Sequence, residues 1–383
     1  MRIAVVGGGP GGLYFAALVK RIAPRHEVVL WEKGGVEDEV GFGVVFSDGA
    51  LGGVQAADPR LFDVLGDRFV HWDAVDVRYR GETLSRGGYR FSAVERRALL
   101  HLLRERCAEV GVTVHFGTEA PPVPLLSEDF DVVVAADGVG SATRAARADA
   151  FGPDLRPSAS RYLWMGTDRV FDALTFTVVE TPHGTMQAHS YPYAPGWSTF
   201  IVETTDRVLA ASGLDVPDRA PEATAAAVAD LFADQLDGHR LVCAGSRWGR
   251  FTVVRNRRWV DGNVVLLGDA AHTTHFSVGS GTKLAMEDAV ALAMALSDHG
   301  VPEGLAAYEA ERMPVVAKTQ HVAEVSRDWF ERVDEHVGLP AADFAAHLVT
   351  RSGRIGRLDL PLVDHGHVER VRTWFSEALS GTG

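Results

Sequence analysis

The N-terminus carries the first residues whose types and spacing suggest chemistry. The apolar run Ile3-Ala4-Val5-Val6 leads into Gly7, Gly8, Gly9, Pro10, Gly11 and Gly12, a Gly-x-Gly-x-x-Gly pattern. Gly7 suits a tight turn, Gly9 a close approach of the backbone to a pyrophosphate, and Gly12 close packing of helix on sheet. Free amides at the start of the helix that follows would then face phosphates, aided by the helix dipole. Glu32, beside Lys33, ends the next apolar run, twenty positions after Gly12. A carboxylate there accepts from a ribose hydroxyl and favours an unphosphorylated adenosine ribose, as in FAD or NAD. A glycine turn without ligand is the bland alternative.

Two further segments belong with the first. Asp131 to Ala136 is an apolar strand pattern ending in Asp137-Gly138, extended by Ser141 and Arg144 to Asp-Gly-x-x-Ser-x-x-Arg. Alone it would be only a strand and a turn. Val264 to Leu267 leads into Gly268-Asp269-Ala270-Ala271-His272 and then Val278-Gly279-Ser280-Gly281-Thr282. An Asp at the end of a buried strand accepts from a ribityl chain. Amides at Gly281 and Thr282 would open a helix whose positive end, aimed at the flavin N1–C2=O edge, stabilises the anionic reduced ring. The competing explanation is an Asp that only caps a helix. The three segments in this order point to FAD.

The elements that must position these residues follow from periodicity. Residues 2–6 read as a strand, Leu13 to Val19 as a helix ending near Pro24, and Glu27 to Trp31 as a second strand. Arg96 to Val110 is helical, Val112 to Phe116 extended, and residues 129–135 a buried strand. From about 160 to 255 alternation dominates, as in Leu174 to Val179 and Ser198 to Glu203, which predicts antiparallel sheet with an alanine-rich helix at about 221–236. Beyond Gly281 the pattern is helical, with breaks at Gly300-Val301-Pro302 and Gly338-Leu339-Pro340. The nucleotide-binding pieces bracket the antiparallel region, so the expected domains interleave: 1–70, 95–160 and 256–330 for the nucleotide, 71–94 and 161–255 for the sheet, and 331–383 as a helical C-terminal segment.

The net charge of −13 over 383 residues argues against non-specific binding to nucleic acid or an anionic membrane. Only Cys107 and Cys243 are present, outside any Cys-x-x-Cys pair, so neither a disulfide scaffold nor a thiolate zinc site is expected. No signal-peptide pattern and no membrane-spanning run is found, and a cytoplasmic protein is expected.

Taken together, these segments resemble the single-component FAD-dependent aromatic hydroxylases. The resemblance implies an α/β fold of the p-hydroxybenzoate-hydroxylase type, a Rossmann-like FAD domain interleaved with an antiparallel substrate domain. In that family the Asp137-Gly138 segment lies near FAD and the NAD(P)H path. An arginine matching Arg96 reaches the flavin side, with Arg97 as a competing choice. Where the family commonly has proline and asparagine, this chain has Phe276 and Lys283. Gly41 to Asp48, Trp164-Met165-Gly166-Thr167, Ser198 to Glu203 and His275 to Gly279 resemble the group containing salicylyl-CoA 5-hydroxylase and 2-aminobenzoyl-CoA monooxygenase. They also resemble the violacein-pathway tryptophan hydroxylase. The Phe46-Ser47-Asp48 segment favours the CoA-thioester branch.

The implied activity is ring hydroxylation with NADPH or NADH as transient electron donor and O2, through a flavin C4a-hydroperoxide, on a small aromatic substrate, CoA-linked or free. The flavin carries the difficult chemistry, so no obligatory catalytic residue is expected. The alternatives are a hydroxylase of a free indole or phenol and an FAD-binding protein without turnover. The protein would be a monomer or homodimer. On the sheet, Gln187, His189, Tyr191 and Tyr193 alternate towards one face. His189 and Tyr191, with His275 and Phe276 from the loop, are the substrate-pocket candidates; packed strand and loop residues are the competing reading. His272 and His275 lack a matching carboxylate pair, so no metal site is expected. Arg247, Arg250, Arg255, Arg257 and Arg258 could meet CoA phosphates or be ordinary surface arginines.

Overall fold

The computed structural model describes residues 1–36, 41–47, 51–216, 219–353 and 365–380. Two large sheets organise the described residues. The smaller has the spatial order Val260–Asp261, Val264–Leu266, Val132–Ala135, Arg2–Val6, Glu27–Glu32, Thr113–Phe116. All of its pairings are parallel except the short outer one between Val260–Asp261 and Val264–Leu266. Parallel strands are buried on both faces and read as continuous apolar runs. Ile3, Ala4 and Val5, Val132 to Ala135, and Val264 to Leu266 accordingly have no exposed surface.

Helices Pro10–Ile22 and Gly281–His299 pack against each other and the sheet. Arg96–Val110 adds a third helix and ends where Gly111 takes a left-handed conformation. The longest helix, Glu303–Glu331, follows the break at Gly300-Val301-Pro302.

The larger sheet runs Leu241–Val242, Ser160–Thr167, Trp197–Thr205, Gly184–Ala194, Leu174–Thr181, Val70–Tyr79, Glu82–Glu95, Gly43–Ser47. It is mixed rather than wholly antiparallel, because Leu174–Thr181 pairs in parallel with Val70–Tyr79. That contact joins two stretches of chain separated by the nucleotide-binding segments, which alternation within either strand does not report. The Gly43–Ser47 strand, early in the sequence, forms the far edge of this sheet. The alanine-rich stretch is two helices, Pro221–Leu231 and Ala233–Leu236, broken at Phe232. Ala341–Thr350 and His365–Ser380 complete the helical C-terminal region.

Candidate active site

The three segments meet because their strands are neighbours. Val264–Leu266, Val132–Ala135 and Arg2–Val6 lie side by side and parallel, and each segment leaves from a carboxyl end. Open parallel sheets bind ligands at that edge. A cavity of about 380 Å3 opens there and extends to the larger sheet. That volume is usual for a small-molecule site.

The residues on the first side fit FAD. A Cβ on Gly9 would meet nothing within 4 Å, so open space lies where a pyrophosphate would approach. By contrast a Cβ on Gly12 would stand 2.2 Å from the Gly7 carbonyl oxygen, so that glycine serves helix packing. Gly7, at φ 106°, makes the turn and is absent from the cavity wall, whereas Gly9, Pro10, Gly11 and Gly12 line it. Helices Pro10–Ile22 and Gly281–His299 both start at the cavity, and neither has a side-chain cap or an acid in its first turn. Their first amides are thus left to an anionic or carbonyl-bearing ligand. Gly279, Gly281 and Thr282 are in the wall.

Asp269 has exposed surface, but it faces the cavity rather than the outside. Crowding by protein holds its carboxyl above the usual carboxylate range, against the pull of His272 and Arg96. A hydroxyl-rich chain in the cavity would supply the missing partners. Gly268, which turns the chain to aim Asp269, gives its amide to Asp288 at 3.3 Å. Asp288 also takes His272 Nε2 at 2.6 Å and Arg312 Nε at 2.8 Å, and Arg312 reaches Glu287 at 3.2 Å. His272 therefore braces the turn and stacks on Trp259. Lys283, where the family has asparagine, pairs with Glu287 at 2.9 Å.

Several candidate residues support the wall instead of forming it. The Glu32 carboxylate accepts from the amides of Gly8 at 2.6 Å and Gly34 at 2.7 Å, bracing the glycine turn, while Lys33 is exposed. Each Glu32 oxygen keeps a lone pair for a ribose hydroxyl. Asp137 accepts from the Ser141 hydroxyl and the Thr143 amide, organising the turn that places Gly138 in the wall. Buried Arg144 donates to Val139 O and to Ala270 O at 3.0 Å, tying the second segment to the third. Arg96 lines the cavity, lying over Gly41, and Arg97 is exposed.

On the larger-sheet side, strand register sets the surface. Trp164 is opposite Ile201, which is opposite His189; Tyr162 is opposite Glu203, which is opposite Gln187. Tyr162, Trp164, Ile201 and Tyr191 reach the cavity, with Phe251 and Phe276 from the covering loops. The Tyr191 hydroxyl donates to Gly43 O at 2.9 Å, and burial pushes its pKa well up. Its ring, stacked near Trp72, is what it offers a substrate. Tyr193 packs in the same aromatic group, outside the wall.

His189 and His275 stand apart from the other pocket candidates. Neither lines the cavity; both lie behind Phe276. Alternation gives His189 the right face, but the 273–280 loop and the Glu303–Glu331 helix cover that part of the sheet. Its ring meets Phe276, Phe176 and Phe330. Tyr162 and Phe251 were not singled out from sequence, and Trp164 and Ile201 entered only within signature segments, not as pocket residues. The alternation of Ser160–Thr167 was a usable signal for Tyr162 and Trp164, and Glu203 was conspicuous as an acid inside an apolar strand.

Among the described residues no group of His, Cys, Asp and Glu could hold a metal, both cysteines are buried and free, and no helix is long and apolar enough to cross a membrane. The arginine cluster is largely neutralised locally. Arg250 pairs with Asp206, Arg255 with Glu324 and Arg258 with Glu309, while Arg257 donates to Asp149 O. Asp48 lies outside the described residues, so the Phe46-Ser47-Asp48 signature is only partly placed.

Residues 71–323 match the family model described as an FAD binding domain. The chain is 46% identical to a salicyloyl-CoA 5-hydroxylase from a Streptomyces species, over 98% of this chain and 74% of that one. It is 42% identical to a 3-hydroxy-4-methyl-anthranilyl-[aryl-carrier protein] 5-monooxygenase of Streptosporangium sibiricum, over 96% and 99%. Identity to a protodeoxyviolaceinate monooxygenase of Chromobacterium violaceum is 35%, over 97% and 99%. Among solved structures, a tetrameric form of 2-methyl-3-hydroxypyridine-5-carboxylic acid oxygenase superposes with a TM-score of 0.71 at 21% identity, over 89% of this chain and 94% of that one, which supports the fold. With a glycine turn, two uncapped helix starts and a cavity-facing Asp269 arranged around one site, the chain belongs to the FAD-binding family of flavin-dependent aromatic hydroxylases.

Proposed function

We propose that this chain hydroxylates an aromatic ring carried as a thioester, on CoA or on a carrier protein. The observation that carries this reading is the pair of relatives at 46% and 42% identity, whose names share an aryl thioester and differ in its carrier. The overall change is one ring C–H, O2, NAD(P)H and a proton giving a ring C–OH, NAD(P)+ and water. FAD, when bound, supplies the two-electron link between the nicotinamide and oxygen. In this reading Gly9 and the helix start that follows it take the pyrophosphate while Gly12 keeps that helix close to the sheet, Asp269 would take the ribityl hydroxyls, and the amides at Gly281 and Thr282 the electron-rich edge of the reduced ring.

The protein's own work is placement and dryness. Tyr162, Trp164, Tyr191, Phe251 and Phe276 form an aromatic wall against which a planar ring can be seated, displacing water as it binds. Gly138 and the exposed Val139, also in the wall, are where this reading brings the nicotinamide. The FAD part comprises 1–70, 95–160 and 256–330, and the substrate part 71–94 and 161–255, with Gly43–Ser47 lent to the substrate sheet. The protein works in the cytoplasm as a monomer or homodimer.

The test is turnover under 18O2 with salicylyl-CoA, the same acyl group on a carrier protein, and free salicylate. The expected result is one labelled oxygen in a thioester product, with NAD(P)H consumed in step. Labelled product from the free acid alone overturns the thioester reading.

A further inference from the structure

Behind Phe276 lies a buried polar group that the hydroxylase reading does not use. Glu203 is 1% exposed, and neither of its carboxyl oxygens has a partner at good hydrogen-bond geometry, Ser160 and Gln187 standing near it only loosely. Buried polar atoms without partners are uncommon and costly, so each asks for a reason. Glu203 shares its sheet face with Ile201 and Tyr162, both in the cavity wall, and lies one step further under the 273–280 loop.

Two imidazoles face it. His189 Nε2, from the neighbouring strand, is 3.4 Å from Oε2, and His275 Nε2, from the loop, is 3.8 Å from Oε1. The His275 tautomer follows from its other nitrogen. Nδ1 lies 3.4 Å from the Ser277 amide and 2.9 Å from Ser277 Oγ; assigned as the acceptor of both, it leaves the hydrogen on Nε2, which faces Glu203. A protonated carboxyl then completes the pattern: Oε1 accepts from His275, and Oε2–H donates to His189 Nε2, which otherwise has no partner. This assigns the hydrogen of His189 to Nδ1, leaving Nε2 as the acceptor. Both gaps exceed a hydrogen bond; the 3.4 Å one lies within the sheet and closes by a small side-chain adjustment, whereas the 3.8 Å one closes when the loop moves about 1 Å towards the sheet. Phe276 travels with that movement, since its ring centroid is 4.1 Å from that of His275 and 5.4 Å from that of His189.

We propose that Glu203 is a positioning residue that links His189 of the sheet to His275 of the loop and thereby sets where Phe276 stands in the cavity wall. The other charged and polar groups facing it are Gln187 and Ser160 from its neighbouring strands, Glu331 from the long helix and Arg351 from the end of Ala341–Thr350; Arg327 faces His275. Burial, reinforced by Glu331, pushes the Glu203 carboxyl up to about 8. Burial also lowers His189, to about 3, and His275, so the trio is neutral at pH 7. Arg351 holds the loop from behind. It donates to Ser277 O at 3.1 Å and to Ser326 Oγ at 2.9 Å, and Ser326 Oγ lies 2.8 Å from Ser277 Oγ.

The effect on turnover rests on Phe276 bordering the substrate ring, as in the proposed function, so the test has an arm that needs no substrate. Hydrogen exchange of the 273–280 loop is measured in the FAD-loaded protein at pH 7 and pH 9, corrected for the intrinsic pH effect, for wild type, Glu203→Gln and Glu203→Leu. Wild-type protection falls about ten-fold at pH 9 as the carboxyl ionises, Glu203→Gln is pH-independent and matches wild type at pH 7, and Glu203→Leu is unprotected at both. Equal wild-type protection at both pH values, or a pH effect that persists in Glu203→Gln, overturns the proposal. In the second arm, hydroxylated salicylyl-CoA per NADPH consumed falls about five-fold in Glu203→Leu and is kept in Glu203→Gln, with FAD affinity unchanged in both. A parallel loss of FAD affinity would show a general structural role and overturn it. If wild type gives no product from any ring substrate, the proposed function fails while the exchange arm still decides the role of Glu203.

Discussion

Arg312→Met tests how the third FAD segment is held. The Arg312 guanidinium is 5% exposed and binds Asp288 at 2.8 Å and Glu287 at 3.2 Å, while Asp288 receives the Gly268 amide. Methionine keeps much of the volume and removes the charge, leaving Asp288 buried with His272 as its remaining side-chain partner. Breaking a buried pair from one side costs about 3–5 kcal/mol. With an unfolding entropy of about 2.1 cal/mol/K per residue, this 383-residue chain loses about 0.8 kcal/mol per degree. Thermal unfolding of the FAD-loaded variant should therefore fall by about 4–6 °C.

The pH dependence of that loss also follows. Burial raises the Asp288 carboxyl, but His272 and Arg312 outweigh it and hold it below the usual value of 3.8. A depressed carboxyl contributes stability above its unfolded pKa and loses it as pH falls through the folded one. The gap between wild type and Arg312→Met should be full at pH 7 and shrink below about pH 4. Adding Asp288→Asn should recover part of the loss, because the orphaned charge is gone. A single variant that unfolds within a degree of wild type at pH 7 would refute this account of the turn.

Three further outcomes follow from the same geometry. Gly12→Ala places a Cβ 2.2 Å from Gly7 O, so FAD affinity measured by flavin fluorescence should fall at least about ten-fold. Glu203→Gln should stabilise the fold at pH 7. The carboxyl is raised from 4.5 to about 8, so its folding penalty grows as pH rises through that window, reaching about 3 kcal/mol at pH 7 and vanishing near pH 4.5; parallel melting curves for the two proteins from pH 5 to 8 would contradict it. Phe276→Ala should admit water to the ring side of the cavity, raising hydrogen peroxide per NADPH several-fold with little change in FAD affinity; unchanged coupling would remove Phe276 from the substrate wall.

The FAD cradle was legible because its demands are local. A turn at positive φ needs Gly7, a close helix needs Gly12, and a strand end followed by Gly268-Asp269 announces itself within a few residues. The helix Arg96–Val110 and the breaks at Gly300 and Pro340 were legible for the same reason. What alternation could not report was cover. His189 shares a strand face with the cavity wall, yet Phe276 and Phe330 cover it from distant parts of the chain, with Arg351 lying over Phe330 behind them. The same limit hid the parallel contact of Leu174–Thr181 with Val70–Tyr79. Asp137 and Glu32 show a subtler gap: both types and places were recognisable, while the backbone amides they hold depend on folded turns.

The most direct test of the central claim is anaerobic flavin reduction, followed by loss of the oxidised flavin absorbance. NADPH and NADH are each mixed with the FAD-loaded protein alone and with salicylyl-CoA, 2-aminobenzoyl-CoA or free salicylate. An aryl-thioester hydroxylase should show slow reduction alone and marked acceleration by one of the CoA thioesters, with little response to the free acid. Acceleration by free salicylate alone, or equal rates in every mixture, would contradict it.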